Sequence, residues 1–208
     1  MTEASRRPLN SRNMKWAGAL AARLAASRIT PNQISQASIA FAALGCLMFW
    51  AASATGGILQ ALALILAAAC VQLRLLCNLL DGMVAIEGGK SSATGPYWNE
   101  APDRAADALF LAGAGLAAGQ LALGLAAAVL AVATAYIREL GRAEGLPPDF
   151  SGPMAKPHRM AALTLGSLIA AVYATEWSLS VTLWIIAIGT AATILRRSVR
   201  LLSALQAR

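Results

Sequence analysis

Asn78, Asp81 and Gly82, answered by Gly95, Asn99, Asp103 and Asp107, are the residues of this chain whose types and spacing can do chemistry. Arg74, Asn78, Asp81 and Ala85 follow i, i+4, i+7, i+11 spacing and share one face of a helix. Asn99, Asp103 and Asp107 stand at i, i+4, i+8 on the next helix. Both polar ends approach the same turn, near 87–97, so they can converge. Carboxylates and carboxamide oxygens, joined by substrate phosphates, are the ligand set that a hard divalent cation takes. Gly82 and Gly95 leave room for a ligand or a backbone to come close. Such groups in apolar helices are costly, and by default they mark a functional site. The competing reading is a buried polar cluster serving packing, with Arg74 against Asp81 and Asp103 against Arg104 or another cation.

The elements that must hold these residues are written in the composition. The chain has 208 residues, 58% of them hydrophobic, and a mean hydropathy of +0.60. That is too apolar for an ordinary soluble domain. Ala/Leu/Ile/Val runs of spanning length recur at roughly 33–54, 58–86, 98–118, 120–143, 159–176 and 179–203. The expected fold is all-α: an integral membrane bundle of six transmembrane helices over 30–208, preceded by a cytoplasmic segment over 1–29. Residues 1–8 read as disordered. Residues 9–28 interleave Leu9, Met14, Trp16, Leu20 and Leu24 with Arg12, Lys15, Arg23 and Arg28, the pattern of an amphipathic helix lying at the membrane interface. Pro31 opens the first span and Gly56-Gly57 separates it from the second. Pro102 is expected in the first turn of the third span. Gly115 and Gly119 make a small-xxx-small pair for close helix packing. Cys46, Cys70 and Cys77 lie in apolar runs without metal or redox spacing and read as buried hydrophobes. No cleavable signal peptide is expected, since the first apolar run comes late and more follow.

The net charge of +7 does not point to nucleic acid, because the basic residues are sorted. Six spans put the N-terminal segment, the turn near 87–97, the loop near 144–158 and the C-terminus on one side. Nearly every Lys and Arg lies there, while the connections near 55–57, 119 and 177 carry none; only Arg74 sits deep in a helix. This is the positive-inside pattern, with both termini and the polar site cytoplasmic. Arg138 and Arg142 share a face at the cytoplasmic end of the fourth span. Lys156, His158 and Arg159 precede the fifth. Together they can line a pocket for an anionic acceptor or for phosphates. Each alone also reads as a flanking charge snorkelling to headgroups.

The site pattern resembles the CDP-alcohol phosphotransferase family. The signature of that family is D-x2-D-G-x2-A-R-x8-G-x3-D-x3-D. Laid on this chain it falls on Asn78, Asp81, Gly82, Ala85, Ile86, Gly95, Asn99 and Asp103 with every spacing kept. Thr30-Pro31-Asn32-Gln33-Ile34-Ser35 resembles the family's opening motif, and Ser151–Lys156 loosely resembles its glycine–lysine segment. The resemblance implies an attack by an alcohol oxygen on the β-phosphorus of a CDP-linked lipid, with loss of CMP. It implies one or two Mg²⁺ or Mn²⁺ ions held by Asp81, Asn78, Asn99 and Asp103, with Asp103 also the candidate general base. It implies substrate contacts at Asn32, Gly82, Ala85 and Gly95, joined by Arg138, Arg142 and Lys156, and a homodimer. The chain departs from the signature at Asn78 and Asn99, where the family has aspartate, and at Ile86, where it has arginine. Two formal negative charges are lost and Arg74 adds a positive one. Glu100 and Asp107 are the candidates to restore negative charge.

Two functions follow. In the first, the chain is a phosphotransferase of phospholipid synthesis, using CDP-diacylglycerol or another CDP-alcohol and a small alcohol acceptor among membrane lipids. In the second, it is a non-catalytic relative that binds lipid or nucleotide in an inherited pocket. A small transporter fits less well, because its polar residues should reach both faces.

Overall fold

The computed structural model describes residues 15–173 and 176–208, and among them the only regular elements are seven α-helices. The expected disorder of residues 1–8, and the start of the expected helix over 9–28, lie outside the described residues. The rest of that helix is present as α1 (Lys15–Ala26). Six further helices follow: α2 (Pro31–Ala54), α3 (Gly57–Ile86), α4 (Gly95–Ala117), α5 (Leu121–Ala143), α6 (Lys156–Tyr173) and α7 (Glu176–Gln206). They fall on the six apolar runs to within a few residues.

Four helices are long and apolar enough to cross a membrane by themselves: α2, α3, α5 and Trp177–Gln206 of α7. The sequence leads one to expect six. The two that fall short, α4 and α6, carry many of the site's charges: Glu100, Asp103, Arg104 and Asp107 on one, Lys156 and Arg159 on the other. With large apolar side chains such as Trp50, Leu59, Val129, Val172, Ile188 and Leu195 directed outward, the chain is a membrane protein.

Inside, the packing is done by small residues. Ala42, Ala67, Ala106, Ala114, Ala127 and Ala131 are fully buried. In lipid the apolar effect gives helices no reason to associate, so close contact between slim helix faces does that work. α2 lies against both α3 and α4, α4 against α5, α3 against α6, and α7 against α5 and α6. The α4–α5 crossing is glycine on glycine: a Cβ added to Gly124 would stand 2.5 Å from the Leu111 carbonyl oxygen and 2.9 Å from the Cα of Gly115. Gly119 is not the packing partner of Gly115. Its φ of +64° ends α4 in the left-handed turn that glycine adopts at no steric cost.

Local signals set the helix ends. Thr30 caps α2: its hydroxyl accepts from the Gln33 N–H at 3.3 Å, and the Gln33 side chain accepts from the Thr30 N–H at 2.9 Å. α4 starts at Gly95, with Pro96 in its opening positions, so Pro102 stands inside the helix rather than in its first turn. The turn between α3 and α4 is tied back. Lys90 Nζ donates to the Ser27 carbonyl at 2.6 Å and the Ile29 carbonyl at 3.2 Å. Asn32 Nδ2 donates to Thr94 Oγ1 at 3.1 Å. α1 rests on α3 through Ala17 and Ala21, in a cluster with Cys77, Leu80 and Met83.

Candidate active site

The polar faces of α3 and α4 meet as expected, and α6 adds to them. Asp103 is the hub. Its Oδ1 accepts from Arg74 at 3.1 Å and from Asn78 Nδ2, and its Oδ2 is paired with Lys156 Nζ. Arg74 also reaches Asp107 Oδ1 at 3.0 Å, and Arg159 meets Asp107 Oδ2 at 2.8 Å. Asp107, Arg74 and Arg159 are at most 1% exposed, so they neutralise one another inside the bundle. Arg74 therefore pairs with α4 and not with Asp81. Asp81 instead accepts from the Ser35 hydroxyl at 2.6 Å through Oδ2, and its Oδ1 is buried without a hydrogen-bond partner. Arg104 pairs with Glu100 at 2.5 Å rather than with Asp103.

Lys156 is the first residue of α6, and the segment before it is strapped to α7. The Met154 N–H donates to Thr193 Oγ1 at 2.9 Å, and Arg197 Nε donates to the Ser151 carbonyl at 2.9 Å. Gly152 has a φ of +128°, and a Cβ there would stand 2.3 Å from the Thr193 methyl. Only glycine lets the strap pass this close. Next to it, burial acts to raise the pKa of Asp149. The Ser151 hydroxyl and N–H, with Arg200 and Arg197, more than offset this and hold it below the usual carboxylate range.

A cavity of about 1010 Å³ opens over this core. Asn78, Asn99, Glu100, Asp103, Arg138, Arg142 and Lys156 all stand on its wall. Asp81, Gly82, Ala85, Gly95, Asn32 and Asp107 do not line it. Asn32 works on the α3–α4 turn instead, and the space beside Gly82 is empty to 4 Å. Arg138 is paired with Glu100 at 2.5 Å and Glu139 at 2.8 Å, and stacks over Phe150 with its guanidinium carbon 5.4 Å from the ring centre. Arg142 pairs with Glu139 at 2.9 Å. Glu100 and Asp107 are thus committed to arginines and do not turn to the signature positions. Ser35 and Arg197 are wall or core residues whose role the spacing did not signal. Ser35 stands in the Thr30–Ser35 motif, and Arg197 is one arginine in a basic run.

No family model matches the chain. It is 36% identical over 152 residues, 69% of its length, to the bifunctional IPC transferase and DIPP synthase of Rubrobacter xylanophilus, and spans 32% of that relative. Among solved structures it resembles the phosphatidylinositol phosphate synthase of Mycobacterium tuberculosis. The form with CDP-DAG bound has a TM-score of 0.75 at 21% identity, covering 90% of this chain and 94% of that one. The form in complex with manganese and citrate also has a TM-score of 0.75 at 21% identity, covering 89% and 88%. Signature spacing, sequence likeness and fold now agree. These likenesses accord with the resemblance of the signature positions to the CDP-alcohol phosphotransferase family.

The metal site that this resemblance implies can be tested on the donor set. Among the described residues no three His, Cys, Asp or Glu side chains are grouped as metal ligands. Asp103 has both oxygens engaged by Arg74, Asn78 and Lys156. Of the signature carboxylates only Asp81 keeps an oxygen, Oδ1, without a partner. Asn78 turns its amide nitrogen, a donor, toward Asp103. A hard cation prefers about six oxygens, and this set does not fit a pair of such ions.

Proposed function

We propose that the chain is an integral-membrane phosphotransferase of phospholipid synthesis. It moves a phosphatidyl or other substituted phosphate group from a CDP-linked donor to an alcohol acceptor and releases CMP. CDP-diacylglycerol is the preferred donor, a reading that draws on the related fold solved with CDP-DAG. The observation that carries the proposal is the meeting of Asn78, Asn99, Asp103 and Lys156 on the wall of one large cavity, at one end of the bundle. A cavity of this size suits a nucleotide headgroup. Six spans, cytoplasmic termini and a cytoplasmic site complete the reading, with a homodimer implied by the family.

The chemistry follows from the partners of Asp103. Donor phosphates entering the cavity draw the Lys156 ammonium from Asp103 Oδ2 toward themselves. The freed carboxylate oxygen then accepts the hydroxyl proton of the alcohol. The alcohol oxygen bonds to the β-phosphorus. The bond from that phosphorus to the bridging oxygen breaks, and its electron pair leaves with CMP. Charge growing on the leaving phosphate is met by Lys156, held in place by the core behind it. Arg138 and Arg142 flank the acceptor side.

The test is CMP release from CDP-diacylglycerol by purified, detergent-solubilised protein, with a panel of alcohols, with and without Mg²⁺ or Mn²⁺. Acceptor-dependent release that disappears in folded Asp103→Ala supports the reading. Full activity in folded Asp81→Ala and Asp103→Ala sinks it. A second reading, a non-catalytic binder of nucleotide lipid, is favoured by the two asparagines and by the engagement of both Asp103 oxygens. Binding of the donor without release under any condition would establish it.

A further inference from the structure

The core around Asp103 is already neutral. Three carboxylates, Asp81, Asp103 and Asp107, face three cations, Arg74, Arg159 and Lys156, and all but Lys156 are at most 7% exposed. A divalent ion added here without the donor diphosphate would leave two uncompensated positive charges in a low-dielectric interior, and such burial is strongly unfavourable. It would also have to displace an ammonium and a guanidinium from Asp103. In exchange it would gain one unpaired carboxylate oxygen and neutral carboxamides. The substitutions follow one logic: aspartate is absent at 78 and 99, and of the two that are kept, Asp103 has fixed cations beside it.

We infer that this site has exchanged its divalent ion for a built-in cation, and that Lys156 binds the donor diphosphate without metal. This rests on the proposed donor class. Arg74 and Arg159 are positioning residues: they hold Asp103 and Asp107, and Asp103 holds Lys156. The strap from Ser151 to Ala155, tied to Thr193 and Arg197, fixes where α6 begins and hence where the ammonium stands.

The experiment combines two readouts on the full chain in detergent. One is equilibrium binding of CDP-diacylglycerol in EDTA and in Mn²⁺. The other is immobilisation of Mn²⁺ followed by its electron paramagnetic resonance signal. The expected result is equal lipid affinity in both buffers, with the Mn²⁺ signal remaining that of the free ion. Folded Lys156→Gln should weaken lipid binding roughly tenfold or more, the scale of one charge-assisted hydrogen bond, and Lys156→Arg should restore part of it. The variant Asn78→Asp/Asn99→Asp/Lys156→Gln should immobilise Mn²⁺, which proves the assay sensitive. Immobilised Mn²⁺ in the unaltered protein, with lipid binding lost in EDTA, overturns the inference and leaves the donor reading standing. Absence of lipid binding in both buffers overturns the donor reading, and the inference with it.

Discussion

At the residue scale, Asp103 and Asp107 sit one helical turn apart and have different duties. Asp103 reaches the cavity, whereas Asp107 is sealed between Arg74 and Arg159. Asp107→Ala should leave two buried guanidinium groups without their shared partner. Breaking such a pair costs about 3–5 kcal/mol, so thermal unfolding in detergent should show a large loss of stability. Asp103→Asn keeps the volume but removes the charge that anchors Lys156. Its expected signature is loss of CMP release, with protein still folded by size-exclusion chromatography. The i, i+4, i+8 spacing on α4 made both acids legible. Their partners were not, because an ion pair between helices is decided by packing: Lys156 and Arg159 are far away in sequence and read equally well as headgroup-facing charges. Ser35 was legible only as the end of the Thr30–Ser35 motif, since nothing in its spacing tied it to Asp81.

At the element scale, two close approaches hold the site in register. The α4–α5 crossing admits no side chain at Gly124, so Gly124→Ala should cost about 1–3 kcal/mol by overpacking. Thermal unfolding of folded membrane protein would measure it. The strap before α6 tells a different story. Gly152→Ala meets both an unfavourable φ and the Thr193 side chain, so it should shift the start of α6 and weaken binding of CDP-diacylglycerol through Lys156. In a double-mutant cycle the losses from Gly152→Ala and Lys156→Gln should then be less than additive. Additive losses would mean that the strap acts elsewhere. Helix positions were legible from hydrophobic runs because length and composition nearly suffice in lipid. Helix starts were less so: α4 opened at Gly95, three residues before the expected start near 98, and α6 began at the lysine itself.

At the scale of the whole molecule, apolar length and site geometry give different counts of spans. Were only α2, α3, α5 and α7 to cross, the turn at 87–94 and the loop at 144–155 would lie on opposite sides. Yet Lys156, at the end of that loop, is paired with Asp103, just beyond that turn, and both face one cavity. The proposed six spans account for that closeness, with α4 carrying the chain across and α5 bringing it back. α4 has 23 residues, about 35 Å of helix at 1.5 Å per residue, enough for a hydrocarbon core of about 30 Å. Its charges are cheap because they are paired inside the bundle rather than set against lipid. The proposed orientation sets that end, with its basic residues, in the cytoplasm. In a background with Cys46, Cys70 and Cys77 replaced, Glu144→Cys should be labelled by a membrane-impermeant maleimide only after the cytoplasmic side is opened. Gln120→Cys should be labelled from outside in intact cells. Ser92→Cys, in the turn before α4, should be labelled as Glu144→Cys is; labelling of those two from opposite sides would mean that α4 does not cross, and that the paired charges on α4 and α6 do not meet in the membrane-embedded protein.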